Sequence, residues 1–317
     1  MAQASSPQPS APSRFSVWFN RRGWSDIVIA APYLWLVALF LIPFLIVVAM
    51  SVATRTPTAP PFGFGGDNPV VNLAGYARLF QDDLYIRAFL TSVVNAGIAT
   101  LLCLLLGYPM ALGLTRISTT WRSIFLMLVI LPFWTSFLLR VYAWMGLMGK
   151  NSWFNGLLTD AWNWLVPLDW AVRSVPMMNT NFAVVLVMVY TYLPFMILPL
   201  YASLERLDPT LDEAAMDLGS RPSRVFLDVT LPQSLSGIVA GGMLVFIPAA
   251  GELVIPTLVG DASSPMIGRV ISDEFAVARD WPMASAVAVA LLVLMVGPMM
   301  VYSHHQSKSE RRLRAEP

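Results

Sequence analysis

Long apolar runs constrain the fold of this chain more than any other feature of its sequence. Crossing the hydrocarbon of a bilayer takes about 20 mostly apolar residues in a helix. Six stretches meet that requirement: residues 27–53, 89–114, 124–148, 182–204, 237–259 and 284–302. Because a span in lipid must satisfy its backbone hydrogen bonds internally, the pattern predicts an all-α integral membrane protein with six transmembrane helices.

The charge content supports the same class. Only 12% of the 317 residues are charged and 56% are hydrophobic, whereas a soluble domain is about 25% charged. A net charge of +1 leaves no basic surface of the kind that nucleic acid requires. We therefore expect membrane lipid, and no nucleic acid, as a partner. The one cysteine, Cys103, lies in an apolar run and is predicted to be buried.

The two ends of the chain differ from the apolar region at 27–303. Residues 1–26 are rich in Ser, Pro and Ala without apolar periodicity, which predicts a disordered tail. The first apolar run is far longer than the apolar h-region of a signal peptide, which has roughly 7–15 residues, so it is interpreted as a retained span. Residues 304–317 form a polar tail, where His304 and His305 lack other ligands at metal-binding spacing.

The distribution of basic residues predicts the orientation. An even number of spans places both termini on one side. That side also receives the loops after the second and fourth spans, and it collects most of the 20 Lys and Arg residues. Positive residues concentrate on the cytoplasmic side of a membrane protein, so both termini are predicted to be cytoplasmic.

The third outer loop, residues 149–181, contains apolar residues at a roughly helical spacing. A short amphipathic helix at the outer interface is expected, with its tryptophans at headgroup depth. A binding role for the tryptophans is the alternative. The residues are Trp153, Phe154, Leu157, Leu158, Trp162, Trp164 and Leu165.

Motifs of catalysis and nucleotide binding are missing from the sequence. The Gly149-Lys150 pair is not part of a phosphate-binding loop, and neither a nucleophile elbow nor a His-Glu-x-x-His pair occurs. We therefore predict that the chain is not an enzyme and holds neither a cofactor nor a metal.

The loop at 205–236 is too polar for lipid and too regular for a slack linker. A helix-forming run ends at Gly219, where a left-handed helix end is common. Ser220 and Pro222 can then start a second helix, predicted to reach about Val229 before Leu231 and Pro232 turn the chain back. The small side chains of Ala214 and Ala215 suit the groove of another protein, with Glu213, Arg221 and Arg224 at the rim. A solvated connector is the alternative.

This loop resembles the cytoplasmic signature of the membrane subunits of ABC importers. The family pattern is Glu-Ala-Ala, three residues, Gly, nine residues, Ile, one residue and Leu-Pro. The chain matches it from Glu213 to Pro232, and departs only in having Val229 for Ile. The resemblance implies that an ATPase subunit docks on this loop. The implied ATPase-coupling residues are Glu213, Ala214, Ala215, Gly219, Arg221, Arg224, Leu231 and Pro232.

Further segments resemble the permease subunits of bacterial polyamine importers, most nearly the putrescine branch. They are "LPFWTSFLLRVYAWMGLM" (131–148), "VFIPAAGELVIPTLVG" (245–260), "IGRVISDEF" (267–275) and "RDWPMASAVA" (279–288). The resemblance implies a type I ABC importer permease fold in the inner membrane. It also implies three kinds of partner: a second homologous permease subunit, two copies of an ABC ATPase subunit and a periplasmic substrate-binding protein.

Two ionisable residues lie deep in the predicted spans, Arg140 and Glu252. A charge at a helix centre costs about 2.5–3.5 kcal/mol on insertion scales, so neither should face lipid. We hypothesise that Glu252 lines the path of a passing polyamine, and the alternative is a Glu252–Arg140 ion pair. Aromatic candidates for cation–π contact with the amine are Trp134, Tyr142, Trp144, Tyr190 and Tyr192.

Asp273 and Glu274 in the last outer loop are weaker candidates. They could meet the binding protein or receive the amine at the mouth of the path, and plain solvation is the alternative. For the chain as a whole, the alternative to an importer subunit is a stand-alone secondary transporter or channel for a cationic molecule. Inverted repeats are typical of that class, and we find no convincing internal repeat.

Overall fold

The computed structural model describes residues 14–65, 71–165, 172 and 174–315, with the backbone alone at 14–27, 298–299 and 301–315. The helices are α1 Arg14–Ser51, α2 Ala74–Gln81, α3 Asp83–Arg116, α4 Thr119–Ile130, α5 Phe137–Met148, α6 Trp153–Leu165, α7 Asn181–Leu204, α8 Pro209–Asp217, α9 Pro222–Val225, α10 Leu231–Gln233, α11 Leu235–Ala250, α12 Val254–Val259, α13 Ile267–Ala276 and α14 Trp281–Ala315.

Two short strands complete the described structure. β1, Thr54–Arg55, pairs antiparallel with β2, Phe62–Gly63, and Thr54 lies opposite Gly63. This small hairpin follows α1 directly. It therefore lies at the end of the first apolar helix.

The apolar helices coincide with the predicted spans. Within the described residues, three segments are long and apolar enough to cross a membrane as single helices: Val28–Ser51, Asp83–Arg116 and Asn181–Leu204. Two bent pairs of helices raise the number to five, and Trp281–Gly297 is a shorter apolar helix. The fourth predicted span agrees with α7 to within one residue.

The chain ends differ from the sequence-based expectation. Helix α1 begins at Arg14, so residues 14–26 are helical rather than disordered. Residues 1–13 lie outside the described part of the chain, and so do the side chains of His304 and His305. Helix α14 continues the sixth apolar segment through the polar tail to Ala315.

Two predicted spans are broken rather than continuous. The third divides into α4 and α5, which meet at an angle of 93° across a 3₁₀ turn at Leu131–Trp134. Pro132 in that turn cannot donate a backbone hydrogen bond, which accounts for a break at this place. The fifth span breaks between α11 and α12, at residues 251–253, between Pro248 and Pro256, which weaken the helix on either side.

Helix α7 is the centre of the molecule and packs between α3 and α11. Its buried face is apolar, and Met188, Met196 and Leu200 are fully buried. Helix α11 approaches α7 closely through Gly237, where an added Cβ would lie 2.5 Å from the Ser203 Cβ. Small residues allow such backbone contact between helices in a membrane.

This close approach predicts a strong effect of one methyl group. Gly237→Ala should destabilise the helix pair by about 1–3 kcal/mol, because the Cβ also lies 3.0 Å from the Pro199 carbonyl oxygen. We expect the thermal midpoint of the detergent-purified protein to fall by about 5 °C. Gly242→Ala is the matched control on the same helix, since its Cβ would meet only the Thr100 Cγ2, at 3.9 Å. Equal midpoints for the two variants would contradict the packing argument.

Helix α13 packs against α3 and α14 at one end of this core. Its first residue, Ile267, donates its backbone N–H to the Ser92 Oγ of α3 at 2.7 Å. Gly268 lies so close to the break in the fifth span that an added Cβ would be 2.7 Å from the Glu252 carbonyl oxygen. Helix α13 therefore packs directly against the backbone around Glu252.

The outer loop contains the predicted amphipathic helix as α6. Trp153 and Trp164 are exposed, while Asn155 and Thr159 are buried on the opposite face. The Asn155 amide donates to the carbonyl oxygens of Met148 and Val175, which ties α6 to its flanking loops.

Candidate functional site

The polar loop begins with a well-capped helix, α8. The Asp208 carboxylate accepts a hydrogen bond from the Thr210 backbone N–H at 3.0 Å, and Pro209 occupies the first helical position. That backbone N–H holds the pKa of Asp208 below its usual value. This cap therefore stabilises the folded state fully at pH values above the ordinary pKa of an aspartate. The stabilisation is lost as the pH falls through the lowered pKa of Asp208.

Gly219 ends α8 in the left-handed conformation that the sequence predicted. Its φ is +88°, and the Ser220 N–H donates to the Ala215 carbonyl at 3.1 Å while the Gly219 N–H donates to the Met216 carbonyl at 2.9 Å. This pair of bonds is the Schellman arrangement that satisfies the last carbonyls of a helix. An added Cβ at Gly219 would meet nothing within 4 Å, so the constraint lies in the backbone and not in space.

The second helix of the loop differs from the prediction in two respects. Arg221, not Ser220, is the N-cap residue, and Pro222 follows it at the first helical position. Leu231 and Pro232 do not turn the chain, because helical structure continues through a π-turn at Phe226–Thr230 and α10 as far as Gln233. The bend of 65° comes afterwards, between Gln233 and Leu235.

Most of the predicted docking residues face outward. Ala215 and Leu231 are partly buried, and the others are exposed: Glu213, Ala214, Gly219, Arg221, Arg224 and Pro232. Leu218, at the end of α8, is 88% exposed. An exposed leucine beside small residues and a rim of charges is the composition of a protein contact.

The loop is anchored to the membrane helices by residues that the sequence analysis did not select. The Thr230 hydroxyl donates to the Asp212 carboxylate at 3.2 Å, which joins α8 to the second helix. The Phe226 ring packs edge-on against Tyr108 of α3 at 5.4 Å. The Tyr108 hydroxyl lies 2.9 Å from the Ser234 hydroxyl in a buried hydrogen bond. The loop is therefore in direct contact with α3.

A second link joins α4 to the end of α7 beside the loop. The Arg122 guanidinium lies 2.9 Å from the Glu205 carboxylate, which also accepts a hydrogen bond from the Tyr201 hydroxyl at 2.6 Å. Arg122 and Glu205 line a cleft of about 300 Å³ at the base of α8. The adjacent ends of α4 and α7 thus share one network of contacts with the polar loop.

Glu252 lies in the break between α11 and α12 and is 8% exposed. Its Oε1 accepts hydrogen bonds from the backbone N–H groups of Val254 at 3.0 Å and Ile255 at 3.4 Å. Its Oε2 accepts a short hydrogen bond from the Tyr192 hydroxyl of α7. All three donors are neutral, so the negative charge of the carboxylate is solvated but not cancelled.

The alternative ion pair between Glu252 and Arg140 is not formed. The Tyr192 hydroxyl, and not Arg140, contacts the Glu252 carboxylate. No salt bridge of Arg140 occurs among the described residues. The Arg140 guanidinium lies 5.8 Å from the centre of the Phe137 ring, and its Nε and Nη1 are buried without a hydrogen-bond acceptor in the described chain. Arg140 and Glu252 therefore do not pair with each other, and each has its own surroundings.

The predicted aromatic residues divide into three groups. Tyr192 contacts Glu252 directly, whereas Trp144 packs edge-on against Tyr190 at 5.5 Å. Trp134 and Tyr142 are 76% and 53% exposed, and no contact between them and Glu252 is found in the described structure. Because Tyr190 and Tyr192 are two residues apart on a helix, they point to different faces of α7. Of the five, Tyr192 is the one that belongs to the site of the carboxylate.

The sequence matches the model of a family described as "Binding-protein-dependent transport system inner membrane component". The family model matches residues 104–311, which include α7, the polar loop and the Glu252 break. The chain belongs to this family. It is the membrane subunit of an ABC importer, a permease, and ATP hydrolysis belongs to a separate subunit.

Two curated relatives of the permease carry the same description, spermidine/putrescine transport system permease protein PotB. The protein of Haemophilus influenzae is 38% identical over 92% of this chain and 98% of the relative. That of Escherichia coli is 37% identical over 84% of this chain and 92% of the relative. A crystal structure of a bacterial alginate ABC transporter, with its pentasaccharide-bound periplasmic protein, has a chain 16% identical with a TM-score of 0.67, covering 94% of this chain and 98% of that one. The likeness confirms the fold.

The two outer acids of the permease have different surroundings. Glu274 accepts a hydrogen bond from the Tyr85 hydroxyl at 2.6 Å, which joins α13 to α3. Asp273 is exposed and lies 3.8 Å from Arg269 one turn earlier. Glu274 is thus engaged in helix packing, and of the two acids only Asp273 is exposed.

Among the described residues, no group of three or more His, Cys, Asp or Glu side chains has the arrangement of a metal site. Cys103 is fully buried, and its thiol lies 3.6 Å from the Val189 carbonyl oxygen.

Proposed function

We propose that this permease belongs to a polyamine importer of the bacterial inner membrane and provides half of its translocation path. The assembly comprises a second homologous permease subunit, two copies of an ABC ATPase subunit and a periplasmic substrate-binding protein. Both termini and the loop at 205–236 lie on the cytoplasmic side. The excess of basic residues on that side supports this orientation.

The exposed surface of α8 and Gly219 supports the coupling role of the loop. Ala214 and Leu218 offer a shallow apolar patch that a groove of the ATPase subunit can cover. Glu213, Arg221 and Arg224 are exposed around it and are available for ion pairs at the rim. Closure of the ATPase subunits then moves α3 through the Tyr108 contacts with Phe226 and Ser234.

The observation that carries the substrate class is the uncancelled charge of Glu252. A buried carboxylate without a basic partner attracts a cation that enters the break between α11 and α12. Spermidine and putrescine, which the descriptions of the two PotB relatives name, are such cations. The family assignment decides against a stand-alone transporter or channel.

Uptake by the reconstituted complex tests this function. Proteoliposomes containing the permease with its copurifying subunits should accumulate radiolabelled putrescine or spermidine only when ATP and the periplasmic binding protein are both supplied. Measuring which polyamine the copurifying binding protein binds identifies the substrate. Accumulation without ATP, or a binding protein selective for an anion or a neutral sugar, would refute the proposal.

A further inference from the structure

A second large cleft lies at the opposite end of the molecule from the polar loop. It has a volume of about 920 Å³ and opens between residues 56–61, which join β1 to β2, and residues 277–279 of the segment that joins α13 to α14. The loop at 205–236 lies at the start of α11. The segments that line this cleft lie beyond the far ends of two membrane crossings: β1 and β2 follow α1, and the α13–α14 connection comes after α11 and α12. The cleft therefore lies on the outer face in the orientation proposed above, on which this inference rests.

The walls of this outer cleft are built from fixed contacts. The Arg55 guanidinium donates to the Ala278 carbonyl oxygen at 2.8 Å and lies 3.5 Å from the Asp280 carboxylate, so it joins the two walls. Asp280 is buried and also accepts the Met283 N–H at 3.0 Å, which caps α14. Phe275 stacks on Trp281 at 5.0 Å along one side. A preformed surface loses little conformational entropy when a partner binds.

The charge of the cleft is positive. Arg55 is largely offset by Asp280, but Arg279 is exposed and makes no salt bridge with any carboxylate in the described chain. Its backbone φ is +52°, an uncommon conformation for a residue with a Cβ. Among the described residues, no carboxylate lines the cleft. A passing cation would therefore be repelled here, and an anionic group would be attracted.

The rim of the cleft is apolar as well as basic. Val277, in the α13–α14 connection, is 78% exposed, and Phe275, in the last turn of α13, is 48% exposed. An exposed apolar rim beside an unpaired arginine suits a protein surface, because aromatic and arginine residues are enriched in such contacts. The partner on the outer face is the periplasmic binding protein.

We propose that the outer cleft receives an acidic surface segment of the periplasmic binding protein and that Arg279 forms the ion pair that fixes this contact. Val277 and Phe275 cover the apolar part of the same segment. The contact adds to docking of the binding protein and takes no part in passage of the substrate. It therefore assigns a docking role to the α13–α14 connection.

Binding affinity measured without ATP or polyamine tests this contact. The intact transporter in nanodiscs is titrated with its copurifying binding protein. We expect Arg279→Glu to weaken the Kd about tenfold or more and to reduce its dependence on salt. Arg87→Glu is the matched control, because Arg87 is also exposed on the predicted outer side and contacts only Asp83 one turn earlier. Its Kd should match that of the unaltered protein.

A fluorophore at position 277 gives an independent measurement. Cys103 is fully buried, so in the folded protein Val277→Cys provides the thiol that a maleimide dye reaches. We expect the emission to change on addition of the binding protein. A Kd within twofold of the unaltered value for Arg279→Glu, together with unchanged emission, would overturn the docking role while leaving the proposed transport function intact. Emission that responds to anionic lipid but not to the binding protein would also overturn it, since the cleft would then bind headgroups.

Discussion

Gly219→Val should reduce ATP-driven uptake at least tenfold while the transporter still assembles and hydrolyses ATP. Gly219 has a φ of +88°, and a β-branched residue in that region costs about 1–3 kcal/mol. We expect the chain to relieve this strain by moving the end of α8. Leu218 and the apolar patch beside it would then shift away from the second helix. The ATPase subunits then hydrolyse ATP without moving α3. Uptake and ATP hydrolysis measured on the same proteoliposomes give the ratio of substrate moved to ATP consumed.

The matched variant for this prediction is Gly219→Asn. Asparagine adopts the left-handed conformation far more readily than valine, and a Cβ at this position meets nothing within 4 Å. Gly219→Asn should therefore keep most of the coupling. Loss of coupling in both variants would mean that the groove of the ATPase subunit tolerates no side chain at position 219. Full coupling in Gly219→Val would mean that the loop is a passive connector.

The fold followed largely from the lengths of the apolar runs, because the bilayer sets the length of a helix that crosses it. Helix α7 illustrates this, since the predicted span at 182–204 and Asn181–Leu204 differ by one residue. The break at Pro132 shows the limit of such reasoning. A proline indicates where a helix is weakened, but the angle of 93° between α4 and α5 depends on the neighbours against which each half packs.

The parts of the site that depend on local backbone chemistry were predictable. Gly219 at a helix end and the weak helix around Glu252 are both read from adjacent residues. The partner of Glu252 was not predictable in this way. Arg140 had the complementary charge, but the rotation of α7 turns Tyr192 toward the carboxylate instead. The Tyr108–Ser234 contact joins residues 126 positions apart, and no local pattern identifies such a pair.

Glu252→Gln should reduce polyamine uptake about tenfold or more per assembled transporter. Glutamine keeps the shape of the side chain and can still accept the Val254 and Ile255 N–H bonds, so it removes chiefly the negative charge. If that charge offsets the charge of a passing amine, its loss raises the barrier to transport. A tenfold effect corresponds to about 1.4 kcal/mol. Uptake of radiolabelled putrescine or spermidine should fall, while the thermal midpoint and the Kd for the binding protein should not.

Tyr192→Phe separates the charge of Glu252 from its hydrogen bonding. This change removes the hydroxyl that donates to Oε2 and leaves the carboxyl group itself in the same break. Loss of a hydrogen bond to a charged group costs about 1.5–3 kcal/mol of stability, so the thermal midpoint should fall while transport per folded molecule is largely retained. The two variants thus have opposite signatures: Glu252→Gln lowers transport at nearly constant stability, and Tyr192→Phe lowers stability at nearly constant transport. If both variants lower stability equally and neither lowers uptake per folded molecule, Glu252 is a structural link between α12 and α7 and not part of the path.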